Sequence, residues 1–231
     1  MSLESPNAAT ETGTGTDVAN AMPRVAYNEI AGRNVERIAA LSDGLFAIAM
    51  TLIVFEIRIP DTAGITTDQQ LIDALVPLAP RFLTYLLSFL TLGIFWNGQQ
   101  TQLNSMARAN RDFAWLSLLF LATVALFPFT TSVLAEFFDL RLALGLYWLN
   151  IFATGMAILA CWVYAKRANL LRDDQDHVDV AIRRRITTAQ TLYAIGLAIG
   201  LVFGTLPAVV FIVVIQLNFA IAPRIWILHR I

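Results

Sequence analysis

Within the apolar stretch RIAALSDGLFAIAMTLIVFEI, residues 37–57, stand side chains able to do chemistry: a guanidinium at Arg37, a hydroxyl and a carboxylate side by side at Ser42 and Asp43, and a second hydroxyl at Thr51. A carboxylate in a membrane-spanning helix costs roughly 2.5–3.5 kcal/mol at the bilayer centre and less towards its edge. A chain that keeps one there uses it to handle a cation or proton, or to lock helices together by charge-assisted hydrogen bonds. On a helix Asp43 lies about 9 Å along the axis from Arg37, shallow enough to meet Arg37, the loop arginines or polar groups of neighbouring helices.

Helical periodicity separates these residues into two faces. With Ile48 set at zero and about 100° per residue, Leu52 falls near 40°, Phe55 near 340°, Leu41 near 20° and Gly44 near 320°, with Thr51 beside them at about 300°. Asp43 lands near 220° and Ser42 near 120°, off that stripe. If the stripe lined a central path, the polar pair would point into the surrounding helix packing and form a satisfied hydrogen-bond network there. Ile, Leu and Phe at helical spacing more often face lipid or a neighbouring helix than a pore, so periodicity alone does not choose.

Other chemistry has little to work with. His177 and His229 stand far apart in polar segments, and neither has metal-ligand spacing with another His, Cys or acidic residue. The single cysteine, Cys161, lies in an apolar run, cannot form an internal disulfide and reads as a small buried hydrophobe. The P-loop, dinucleotide-binding and serine-hydrolase patterns are missing, so no catalytic residues are assigned and the chain is not expected to be an enzyme. The later apolar segments carry no clear run of acids. A small cation or proton-coupled carrier is therefore the second reading, and a non-transporting structural membrane protein the third.

The elements that must position these residues follow from composition. The 231 residues are 57% hydrophobic and 14% charged, with mean hydropathy +0.64. A soluble domain has about 45–50% apolar and about 25% charged residues, so the solvent expected here is lipid. The net charge of -1 argues against a nucleic-acid partner. Apolar segments stand at about 36–57, 80–98, 112–133, 142–165, 187–204 and 206–222, each near the roughly 20 residues a spanning helix needs. Between the last two lies GTLP, where Gly204 and Pro207 favour a tight reversal and a helix start. Pro128 is placed to kink the third segment.

Cytoplasmic loops accumulate Lys and Arg. With the N-terminus inside, only Arg58, Arg81 and Arg141 of the 16 basic residues fall outside. The expectation is an all-α, six-span membrane protein with both termini cytoplasmic: a mobile tail over residues 1–32 and a six-helix transmembrane domain over residues 33–231. Residues 1–30 contain no apolar run that could serve as a secretory signal core, so the first span is expected to be retained. Thr67 and Gln70 have the spacing of a capping box that starts a short helix before the second span. The loop over residues 166–185 reads as solvated helix faces of mixed charge.

RIAALSDGLFAIAMTLIVFEIRIP closely resembles the first-span signature of the lysosomal potassium channel family of transmembrane protein 175 and its bacterial relatives, in which an arginine is followed after three residues by Phe-Ser-Asp. Arg37, Ser42 and Asp43 match, and Leu41 stands in place of the phenylalanine. FLTLGIFW in the second span and LFPFTTS in the third fit as well. The likeness is strong over residues 33–133 and rests beyond them on the number and spacing of spans. One departure is clear: Trp96 matches, but WNGQQTQ stands where many bacterial relatives carry histidines, so the resemblance brings no histidine network.

The resemblance implies a homotetramer with the first helix of each subunit lining the pore, no cofactor, and potassium as the permeant ion. It places an apolar constriction at Ile48, Leu52 and Phe55, a hydroxyl layer bearing on potassium preference at Thr51, and a structural network at Arg37, Ser42, Asp43 and Trp96. Its partners are other copies of itself, monovalent cations and the bilayer, and a member with one six-span unit suggests a prokaryotic plasma membrane. Four branched apolar side chains cannot replace an ion's hydration shell, so a slight closure would dry the path and stop conduction. Selectivity is expected to be modest, with one hydroxyl per subunit and no row of carbonyls. The bulk of Phe55 should either tighten the outer constriction or turn the ring aside.

Overall fold

The computed structural model describes residues 34–58, 64–172 and 176–221. The expected tail over residues 1–32, together with Arg33, Arg224, Arg230 and His229, lies outside the described residues.

Helix α1 (Val35–Leu52) starts where Asn34, in extended conformation, accepts the backbone N–H of Arg37 at 3.0 Å, with Glu36 in the first turn against the positive end of the dipole. It continues into a 3₁₀ turn, Ile53–Glu56. The expected short helix is α2 (Asp68–Leu75), and both halves of the Thr67/Gln70 capping box are present. A 3₁₀ turn at Val76–Leu78 leads into α3 (Ala79–Asn104).

The third span is two helices, α4 (Arg111–Ala125) and α5 (Phe127–Glu136), broken at Leu126. The break lies before Pro128, which lacks the N–H an uninterrupted helix would use and whose ring crowds the carbonyl of the residue four before it. Helix α6 (Arg141–Arg167) follows, then α7 (Asp176–Phe203) and α8 (Thr205–Ile221). Gly204 makes the reversal between the last two at φ +99, a conformation that L side chains rarely adopt.

Five helical segments are long and apolar enough to cross a membrane, and Thr205–Phe219 is a shorter apolar helix. Helix α7 begins well before the expected fifth span, so half of the loop read as solvated is helical. It is also less solvated than expected. Asp179 turns inward and accepts from Trp162 Nε1 at 2.7 Å, Lys166 Nζ at 2.7 Å and Arg183 Nε at 2.9 Å. Three donors around one carboxylate make burial of that face tolerable.

Helix α3 is the hub. It packs against α1 and α5 on one side and α8 on the other, while α6 joins α4 and α5 to α7, and α7 pairs with α8. The loops after α3 and α6 are tied by Ala107 N–H to the carbonyl of Leu170 (2.9 Å) and Arg172 N–H to that of Ser105 (3.0 Å). Burial gathers along the inward faces. Phe46 of α1 meets Phe120 of α4 with ring centroids 6.1 Å apart, and Phe127 meets Tyr147 edge-on at 6.0 Å.

Candidate permeation site

The two faces of α1 separate cleanly. Ser42, Phe46, Ala49 and, in the 3₁₀ turn, Ile53 are buried against α3, α4 and α5. The opposite face carries large apolar side chains left about half exposed: Leu41 is 51% exposed, Ile48 60%, Leu52 44% and Phe55 64%. Such a face must meet lipid, another protein surface or a water path. The change to 3₁₀ winding beyond Leu52 alters the geometry read from the sequence. At three residues per turn, residues three apart eclipse, so the 3₁₀ winding brings Phe55 closer to the line of Leu52 than a continued α-helix would.

Thr51 lies beside this stripe, exposed, and its hydroxyl donates to the carbonyl of Ile48 at 2.8 Å. With its proton directed back into the helix, the oxygen turns lone pairs outward. That is the polarity required to face a cation.

The back of α1 is held by polar groups of α3. Asp43 Oδ1 accepts from the indole Nε1 of Trp96 at 2.7 Å and from Gln100 Nε2. Ser42, fully buried, donates to the carbonyl of Ile38 at 2.8 Å and accepts from Gln99 Nε2 at 3.0 Å. A hydrogen bond to a charged group contributes about 1.5–3 kcal/mol. Two on one carboxylate are thus enough to offset the cost of carrying a charge in an apolar helix, which is roughly 2.5–3.5 kcal/mol at the bilayer centre and less nearer its edge. The structure brings together Ser42, Asp43 and Trp96 but not Arg37, whose exposed guanidinium has no hydrogen-bonding partner among the described residues. Gln99 and Gln100, set aside in the sequence because they replace histidines, complete the contact. An amide N–H donates to a carboxylate or hydroxyl as an imidazole N–H does.

A second polar cluster was missed. Behind α3, Thr131 donates to Ser88 (2.8 Å), and Ser88 donates to the hydroxyl of Tyr147 (3.1 Å), which also lies 3.3 Å from the hydroxyl of Thr91. Gln216 Nε2 donates to Thr91 Oγ1 at 2.6 Å and to the hydroxyl of Tyr193 at 3.2 Å. All six are buried, so α3, α5, α6, α7 and α8 share one hydrogen-bonded core. The available signal was Thr84, Ser88 and Thr91, spaced four and three apart on one face of an apolar helix. Among the described residues no three His, Cys, Asp or Glu side chains come together as a metal site.

A bundle of apolar spanning helices whose first member is locked from behind and bare in front defines a multi-span helical membrane protein built in the manner of a channel subunit. Residues 37–128 match the family described as Endosomal/lysosomal potassium channel TMEM175. A potassium channel of Streptomyces collinus is 33% identical over 175 residues, covering 74% of this chain and 84% of that one. One of Chamaesiphon minutus is 31% identical over 172 residues, covering 72% and 84%. The crystal structure of a lysosomal potassium-selective channel TMEM175 homolog from Chamaesiphon minutus superposes with TM-score 0.70 at 28% identity, covering 83% of this chain and 98% of that one. The chain belongs to the TMEM175 family of ion channels.

Proposed function

We propose that the protein is a potassium-permeable cation channel of a prokaryotic plasma membrane, assembled as a homotetramer with α1 of each subunit around the central path and both termini cytoplasmic. The observation that carries this reading is the bare stripe of Ile48, Leu52 and Phe55 on a helix whose other face is fixed by Ser42 and Asp43. Kinship with bacterial relatives that are named potassium channels supports the ion. The distribution of basic residues supports the orientation.

The stripe is both gate and filter. Rings of apolar side chains exclude water when they close and admit a partly hydrated cation when they widen. Thr51 lies beside the stripe and turns oxygen lone pairs outward, and one hydroxyl per subunit gives modest discrimination between potassium and sodium. The Ser42, Asp43 and Trp96 contact holds the helix so that its front needs no partner of its own.

Potassium-driven flux into liposomes containing the purified protein tests the assignment. A channel gives flux that rises with potassium without saturating over the working range and needs no coupled ion. Saturable flux that follows a proton gradient would replace this reading with that of a carrier.

A further inference from the structure

The outer end of α1 is not free. The helix gives way to the 3₁₀ turn Ile53–Glu56, whose last carbonyls have no helical partners. Two guanidinium groups take them: Arg58 Nε donates to the carbonyl of Phe55 at 3.0 Å, and Arg81 Nη1 donates to that of Glu56 at 3.3 Å. The second amino group of Arg81 reaches the other way, to Glu136 Oε2 at 2.6 Å. One planar fork thus joins the end of α1, the first turn of α3 and the last turn of α5.

This pair has little to do with helix stability. A cation in the first turn and an anion in the last each oppose the helix dipole, and that is where Arg81 and Glu136 stand. They also border an open cleft of about 520 Å³ that includes Glu56, Arg58 and Ser132. Water there screens the pair, so its Coulombic worth is small. What survives screening is direction. A guanidinium holds two acceptors at fixed spacing, which an ammonium does not.

We infer that Arg81 is a positioning residue for permeation: it clamps the carbonyl of Glu56 to the carboxylate of Glu136 and so fixes where Phe55 stands at the outer mouth. Ile53, fully buried, pins the turn from within, and Arg81 pins it from the rim. The inference rests on the proposed pore, since Phe55 matters to ions only if its face lines their path.

Three variants in liposomes, with flux compared in potassium and in sodium and thermal unfolding measured alongside, test it. Arg81→Lys keeps the charge and the pair with Glu136 but loses the fork. It should unfold like wild type while its potassium to sodium flux ratio shifts on the order of fivefold, the scale of one lost hydrogen bond. Glu136→Gln should move the ratio in the same direction and serves where the lysine variant folds poorly. The exchange Arg81→Glu with Glu136→Arg keeps an ion pair but leaves the Glu56 carbonyl without its donor, so stability should stay at the wild-type level while the flux ratio stays shifted. A wild-type ratio in Arg81→Lys and Glu136→Gln, or a ratio restored by the exchange, would overturn the clamp. Ile48→Asn in the same assay separates the two levels. If it alters flux while both clamp variants match wild type, only the clamp falls; if it too is silent, the pore falls and the clamp with it.

Discussion

Trp96 Nε1 lies 2.7 Å from Asp43 Oδ1, so an indole on α3 donates to a carboxylate on α1 at the point where α1 carries its only charge between Arg37 and Glu56. The contact places the cost of a charge in an apolar helix where it fixes rotation. A helix packed only by Phe46, Ala49 and Ile53 could turn about its axis with small losses. With Asp43 bonded to Trp96 and Gln100, the same turn would strand a carboxylate.

Replacing Trp96 by Phe should therefore lower thermal stability by about 0.5–1.5 kcal/mol, since both groups are exposed and Gln100 still donates to Asp43. Asp43→Ala removes the charge's cost together with its two bonds, and with the rotational lock gone it should reduce current through the assembled protein. Assembly and current unchanged in Asp43→Ala would rule out a lock at this position.

Thr51→Val keeps the shape of the side chain and removes the oxygen. Under the proposed function it should leave folding intact and lower the potassium to sodium flux ratio roughly severalfold, as expected for loss of a single polar layer, while Thr51→Ser should retain the preference. Equal ratios in the valine variant and wild type would remove Thr51 from the filter.

How much of this was legible depends on the range of the interaction. The capping box at Thr67 and Gln70 and the reversal at Gly204 are local devices, and local devices are written in neighbouring residues. That Asp43 sits off the apolar stripe also follows from spacing within one helix. Its partners do not: Trp96 and Gln100 reach it because α1 packs on α3 at one register, while Arg37, nearer in sequence, makes no hydrogen bond to it. The 3₁₀ end of α1 was hidden for a related reason. Its carbonyls are held by Arg58 and Arg81, and the second of these comes from another helix. The inward turn of Asp179 likewise depends on Trp162 and Lys166, donors on the preceding span.

The buried hydroxyl cluster behind α3 is structural in this account. Tyr147→Phe removes the hydroxyl shared by Ser88 and Thr91, and should cost about 1–3 kcal/mol in stability because it leaves buried polar groups short of a partner. Flux per folded protein should be unchanged. A change in ion preference without a change in melting would show that the cluster belongs to the permeation path instead.

Gly204→Ala isolates a backbone effect. An added Cβ would meet nothing within 4 Å, so space is not the obstacle, but φ +99 is. The variant should lose about 1–3 kcal/mol through strain at the α7–α8 reversal. Unfolding by denaturant reads this directly, and wild-type stability would mean that the reversal relaxes.

The most direct test of the central claim, that the bare face of α1 is the ion path, is potassium flux into liposomes for wild type against Ile48→Asn. The account predicts robust wild-type flux that prefers potassium, and a change in rate or preference when an amide replaces the apolar ring, because the polar side chain keeps water in the constriction. Absent flux from well-folded wild-type protein, or flux untouched by Ile48→Asn, would contradict it.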